Sequence, residues 1–327
     1  MSLFKKALSL FLRILVSAVL LFLLFKLNKI DLLALLKEIK NVNRWFLALA
    51  LLVFPLSHII GFWRWQMLLK STVSIPMKKL VSTFCGGVFF NVFLPSTIGG
   101  DLVRMADLTS HTRRPKEIIA SVFLDRLSGY IGMVMVILLA VIFGGSLVHD
   151  KIVLLSVAAI TLLLIGVLLL LFNASIYARI SKFLSVPGAG RIREAIRDMH
   201  REIHIFRNHK EVIIGNLALS FVIQIVFPLS IYFIGLSLGI RVSLFYYLIF
   251  VPIINAITML PVSMGGLGLR ESLYVLYFAK AGVAEQLALA MSLLFFSFIV
   301  LYGAIGGVIY VFTIHHRRLQ HNQPPLL

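Results

Sequence analysis

The chain has one cysteine in 327 residues, Cys85. A lone thiol excludes a disulfide framework and a thiolate metal cage. Acids are also scarce, with 13 Asp and Glu against 31 Lys and Arg. None occurs from 39 to 100, and none from 212 to 270. Charged residues make up only 13% of the chain, where a soluble domain carries about a quarter. Such a chain has too few polar groups to cover a water-exposed surface of its size. No Ser/His/Asp or Cys/His constellation occurs, and the pair His200/His204 lacks a third metal ligand. Neither catalytic residues, nor a cofactor, nor a metal is expected.

What the chain has is apolar length. Hydrophobic residues make up 60% and the mean hydropathy is +1.00. Uncharged runs of 22, 21 and 29 residues occupy 127–148, 152–172 and 212–240. About 20 such residues cross a bilayer core. The fold class expected is an all-α polytopic integral membrane protein. Six full spans are predicted at 7–25, 45–69, 117–143, 152–172, 212–238 and 284–312, with two broken segments between them. The segment 30–42 repeats Ile30, Leu33, Leu36 and Ile39 at helical spacing, too short and charged to span, and is expected in the interface.

The net charge of +18 reads as positive-inside topology and attraction to anionic headgroups. No aromatic-basic module accompanies it, so no nucleic acid partner is expected. With both termini inside, 18 Lys and Arg fall on the cytoplasmic side, 8 outside and five at membrane depth: Arg13, Arg64, Arg104, Arg126 and Arg270. The chain divides as one membrane domain, 1–327. Its first half, 1–172, carries a motif at 91–104, and its second half, 212–327, carries one at 255–271. Between them 173–211 is a basic cytoplasmic linker with an amphipathic helix over 191–207.

The two motifs echo each other. LPSTIGGDLVR fills 94–104 and LPVSMGGLGLR fills 260–270, an offset of 166. Leu, Pro, Gly-Gly and Arg coincide, and Thr97 shares a hydroxyl with Ser263. Pro95 and Pro261 remove a helix donor, and the glycines let the chain turn. Three predicted spans separate the copies, which sets them in opposite orientations, a recurring transporter design. Lys78, Lys79, Arg113 and Arg114 flank the first copy, so a re-entrant hairpin keeps both basic ends inside. Full crossing is the alternative. A helix start after each Gly-Gly offers N–H groups to an anion. Asp101, Asp125 and Glu271 sit beside Arg104, Arg126 and Arg270. Charges at membrane depth either pair to stitch helices or line a pathway, and both readings stay open.

The residues 90–129 (FNVFLPSTIGGDLVRMADLTSHTRRPKEIIASVFLDRLSG) and 255–274 (NAITMLPVSMGGLGLRESLY) resemble the lysylphosphatidylglycerol synthase transmembrane-region, or flippase-like, family. The resemblance implies an inner-membrane protein that moves or handles phospholipid or polyprenyl-linked glycolipid. It implies a substrate site built from Asn91, Thr97, Gly99, Gly100, Asp101, Arg104, Asp125, Arg126, Ser263, Gly265, Gly266, Gly268, Arg270 and Glu271. The expected ligand is an anionic phospholipid or polyprenyl-phosphate-linked lipid, and the expected partner a membrane glycosyltransferase or lipid-synthesis enzyme. The soluble aminoacyl-transfer domain of the full-length synthases has no counterpart here, so synthesis of lysyl-lipid is not expected. A membrane enzyme acting on a lipid phosphate, and a non-transporting scaffold, are the alternatives.

Overall fold

The computed structural model describes residues 3–27, 31–93, 99–144, 150–173, 209–260 and 262–321. The linker helix 191–207, with His200 and His204, lies outside them, as do Pro95, Thr97 and Pro261. Among the described residues there are eleven α-helices, one 3-10 turn and no strand. They are α1 (Leu3–Leu27), α2 (Leu32–Lys40), α3 (Arg44–Lys70), α4 (Met77–Phe93), α5 (Gly99–Thr112) and α6 (Pro115–Gly144). α7 (Lys151–Phe172), α8 (Lys210–Ser237), α9 (Leu244–Thr258), the 3-10 turn Met264–Gly266, α10 (Leu269–Ala279) and α11 (Glu285–His321) follow.

Helix is what a bilayer demands, because every backbone donor must be satisfied within the chain. Among the described residues, five helices are long and apolar enough to cross: α3, α6, α7, α8 and α11 through Thr313. Each coincides with a span expected from the sequence. The sixth expected span, 7–25, falls inside the 25-residue α1. Starts are marked by short polar side chains. Asn43 Oδ1 accepts from Trp45 N at 3.0 Å, Asp150 Oδ1 from Ile152 N at 2.9 Å, and Asp31 Oδ1 from Leu33 N at 2.9 Å. α7 buries little, and Leu155, Leu162 and Leu163 point outward. That face suits lipid rather than water.

The segment 30–42, expected in the interface, forms the short helix α2. Leu35 is buried and Leu33 and Leu36 are exposed. α2 rests on α11, with Leu35 and Ile39 packed into the core, which leaves Leu33 and Leu36 of the stripe on its outer face.

Both motif copies fall at helix breaks. α4 and α5 are antiparallel: Lys79 and Thr83 meet Asp107, while Asn91 meets Gly100. α9 and α10 are antiparallel too, with the ring pairs Tyr247–Phe278 and Phe250–Tyr277. Each hairpin stands between two long helices. The order long, short, short, long therefore occurs twice, as α3–α6 and α8–α11. The starts of α3 and α8 differ by 166 residues (44 and 210), and those of α4 and α9 by 167 (77 and 244).

The contacts obey the same exchange. α4 packs along α11, and its counterpart α9 packs along α6. α3 packs along its own counterpart α8 in the opposite direction, with Asn43 N donating to Ser237 O at 2.8 Å at one end and Asn216 reaching Arg64 O further along. The two units are thus inverted with respect to each other. α1 lies outside the repeat and braces the second turn. Its Ser17 Oγ accepts from Met264 N at 2.9 Å, and Gly268, at φ +80°, lies so close to Ser17 O that a Cβ would stand 2.8 Å from it.

Candidate functional site

A cavity of about 510 Å³ lies between the two units. Its wall takes Phe54 and His58 midway along α3, Gly129 and Tyr130 midway along α6, and Gln224 and Phe227 midway along α8. In helices long enough to span, that places it at mid-depth. Both repeated arginines, Arg104 and Arg270, line it. An adjoining lobe of about 400 Å³ runs between α3 and α4 along Gly87, Val88 and Val92. Arg104 lines both lobes.

Around Arg104 stands a five-membered charge cluster from three helices, α3, α5 and α6. Arg64 Nε donates to Asp125 Oδ1 at 2.8 Å and Arg64 Nη1 to Ser220 Oγ at 3.0 Å. Arg104 Nη1 donates to Asp101 Oδ1 at 3.2 Å, and its Nη2 stands 4.0 Å from Asp125 Oδ2. Arg126 Nε donates to Asp101 Oδ2. Three cations face two anions, leaving one positive charge over. The Arg104 guanidinium lies over Trp65, 3.8 Å from the ring centre, with Phe84 at 5.2 Å. Its Nε and Nη2 are buried and have no hydrogen-bond partner. Orphaned buried donors cost about 1–3 kcal/mol or more when charged, which marks a place for an acceptor.

The motif glycines now have particular reasons. Gly129 of Asp125-Arg126-x-x-Gly129 leaves room for Arg64, whose Nη1 would stand 3.2 Å from a Cβ there. Its carbonyl accepts from Gln224 Nε2 at 3.2 Å. A Cβ on Gly87 would stand 2.5 Å from Arg104 Cδ, and one on Gly100 2.0 Å from Gly87 O. The hairpin closes at this glycine pair, and Arg104 fills the space so made.

The second copy is chemically different. Arg270 Nε and Nη2 both donate to Glu271 Oε1, the former at 3.1 Å, and Nε also reaches Ser292 Oγ at 3.3 Å. Glu271 Oε2 accepts from Gly268 N at 2.7 Å. This pair is neutral and self-contained. Arg270 lies over Phe296, 4.5 Å from the ring centre.

Of the site residues expected from the sequence, Asn91, Asp101, Arg104, Asp125, Arg126, Gly265, Gly266 and Arg270 meet in the cavity wall. Gly99, Gly100, Ser263, Gly268 and Glu271 are buried but not part of it. Glu271 holds Arg270, and the Ser263 hydroxyl has no partner. At each helix start one N–H is already taken by a side chain of the same hairpin. Gly100 N donates to Asn91 Oδ1 at 2.9 Å and Gly268 N to Glu271 Oε2 at 2.7 Å.

Among the wall residues missed are His58, Arg64, Gln224 and Asn255. A signal for two of them existed. Adding the repeat offset of 166 to 58 gives 224, so His58 and Gln224 are equivalent positions. Asn91 and Asn255 each precede the Leu-Pro of their copy.

The family model described as lysylphosphatidylglycerol synthase TM region matches residues 10–307. A curated relative, the UPF0104 membrane protein PH1989 of Pyrococcus horikoshii, is 25% identical over 272 residues, covering 76% of this chain and 81% of its own. No solved structure matches.

Proposed function

The chain belongs to the lysylphosphatidylglycerol synthase TM region family, and we propose that it translocates lipid across the cytoplasmic membrane. The headgroup enters the mid-depth cavity and its phosphate sits on Arg104, while the tails stay in the bilayer. The observation that carries this reading is Arg104 itself, buried on the cavity wall with Nε and Nη2 unpartnered. Arginine suits the task because its planar fork matches two phosphate oxygens.

The two hairpins act as re-entrant segments. At about 1.5 Å per residue, the 17 residues of α4 and the 15 of α9 fall short of a core about 30 Å thick. The inverted units rock about the shared cavity and open it to either face in turn. Both termini lie on the cytoplasmic side. Transport is favoured over chemistry because Asp101, Asp125 and Glu271 are each held by arginine.

The test is transfer of fluorescent phospholipid between leaflets of proteoliposomes carrying the purified chain. Wild type should equilibrate the label, and Arg104→Ala, checked for folding by its melting curve, should not. Equal transfer by both ends the proposal.

A further inference from the structure

We infer that Lys79, Thr83 and Asp107 form a releasable clasp that positions Arg104, and that its release lets the first hairpin, α4–α5, shift against a fixed second hairpin, α9–α10. This names the moving part within the translocation proposed above and rests on that reading for its transport readout alone.

The two hairpins are closed by different chemistry. Rings join the legs of the second. Tyr247 and Phe278 stand 4.9 Å apart between centres, Phe250 and Phe278 5.5 Å, and Phe250 and Tyr277 5.6 Å. Tyr247, Phe250 and Phe278 are fully buried in the main apolar cluster. Neighbouring helices hold this hairpin as well. Ser17 of α1 takes Met264 N, Ser156 of α7 shares a 2.7 Å hydrogen bond with the Tyr277 hydroxyl, and Ser292 of α11 meets Arg270 and Glu271.

The first hairpin is closed by charge. Lys79 Nζ and Thr83 Oγ1 on α4 both donate to Asp107 on α5. Beside them Leu80 and Leu108 join a small separate cluster with Trp65. The repeat offset of 166 carries Lys79, Thr83 and Asp107 to Phe245, Ile249 and Leu273. The same three seats are thus ionic in one hairpin and apolar in the other. Interlocked rings that part lose their contacts outright. The clasp has a substitute, because Asp107 is partly exposed and water can take over its hydrogen bonds as the legs part. Asp107 lies three residues beyond Arg104 on α5, close to one helical turn. Whatever holds Asp107 therefore sets the height of Arg104, which makes Asp107 a positioning residue.

There is room for the shift. The lobe of about 400 Å³ lies between α3 and α4. On its α3 wall a Cβ on Gly61 would find no atom nearer than 4.0 Å. The equivalent position in α8 is Phe227, packed 5.6 Å from Phe295 between ring centres. On its other side α4 rests on Gly303, Gly306 and Gly307 of α11, which offer bare backbone to Val92, Cys85 and Phe89. A face without side-chain ridges permits sliding of one packed helix along another.

The experiment is amide hydrogen exchange on the purified chain in detergent, which reads local opening helix by helix, paired with lipid transfer in proteoliposomes. Asp107→Asn weakens the clasp. It should speed exchange in α4 and α5 by at least about tenfold, equivalent to about 1.4 kcal/mol, and leave α9 and α10 as in wild type. Unchanged exchange in α4 and α5, or an equal rise in every helix, overturns the clasp. The triple variant Lys79→Phe, Thr83→Ile, Asp107→Leu gives the first hairpin the residues of the second. It should slow exchange in α4 and α5, keep or raise the melting temperature, and stop lipid transfer. Wild-type transfer by a folded triple variant overturns the shift. If the triple variant does not fold, the Asp107→Asn comparison decides. If the wild type itself moves no lipid, translocation falls and the exchange comparison still decides the clasp.

Discussion

The guanidinium of Arg104 lies 3.8 Å above the ring centre of Trp65, and Trp65 Nε1 in turn donates to Ser121 Oγ at 3.3 Å. The arginine is thus set by a flat surface which is itself fixed to α6. Arg104→Lys keeps the charge but loses the stack and the planar fork. Lipid transfer should fall at least about tenfold with little change in melting temperature, because a stacked arginine and a lysine are not interchangeable. Trp65→Ala should lower both, at a cost of about 3–5 kcal/mol for emptying a buried aromatic site. A lysine variant with wild-type transfer removes the stack from the account.

Glycine substitutions should separate function from folding. In Gly87→Ala the new methyl meets Arg104 Cδ at 2.5 Å, the flexible part of a side chain. The arginine must move, so transfer should be lost for about 1–3 kcal/mol of stability. In Gly100→Ala the methyl meets backbone, Gly87 O at 2.0 Å, and the hairpin should fail to close. Gly166→Ala in α7 meets nothing within 4 Å and should be neutral or stabilising by up to about 1 kcal/mol. Melting curves and transfer rates on the three proteins check this order.

Asp125 and Arg64 should behave as a unit. Asp125→Asn leaves Arg64 without its partner at 2.8 Å, and a charge stranded in a buried site costs about 3–5 kcal/mol. Adding Arg64→Gln should recover part of that loss, a coupling read from a double-mutant cycle. Simple additivity of the two changes contradicts a shared network.

The long helices were legible because uninterrupted apolar length has one meaning in a bilayer. The breaks were legible because proline and paired glycine interrupt that length. Arg64 was visible only as a charge at membrane depth, and its tie to Asp125 was not, since 61 residues separate them and no local pattern joins them. His58 and Gln224 were overlooked for a different reason. Each is a lone polar residue in an apolar run, and only the repeat offset relates them. The capping of Gly100 N by Asn91 depends on hairpin closure, which no sequence pattern states.

Outside the spans, Asp150 caps α7 and pairs with Lys280 at 3.0 Å. The hydrogen bond from Lys280 holds its carboxyl below the usual range. A lowered value means the stabilisation is present at neutral pH and is lost as pH falls through the acid range. Asp150→Asn keeps the cap and loses the pair, so its melting temperature should sit slightly below wild type at pH 7 and meet it in acid. Salt should shrink the same gap, because the pair is partly exposed. A gap independent of both pH and salt rules out the pair as its cause.

The exchange of seats between the units reaches beyond packing. α4 rests on α11 and α9 rests on α6, so each broken pair is cradled by the last long helix of the other unit. Neither unit is a finished object by itself. Cutting the chain between residues 173 and 209 leaves both cradles intact, and two co-produced fragments should reassemble where either one alone is degraded. Continuity of the backbone is dispensable to this architecture; the simultaneous presence of both halves is not.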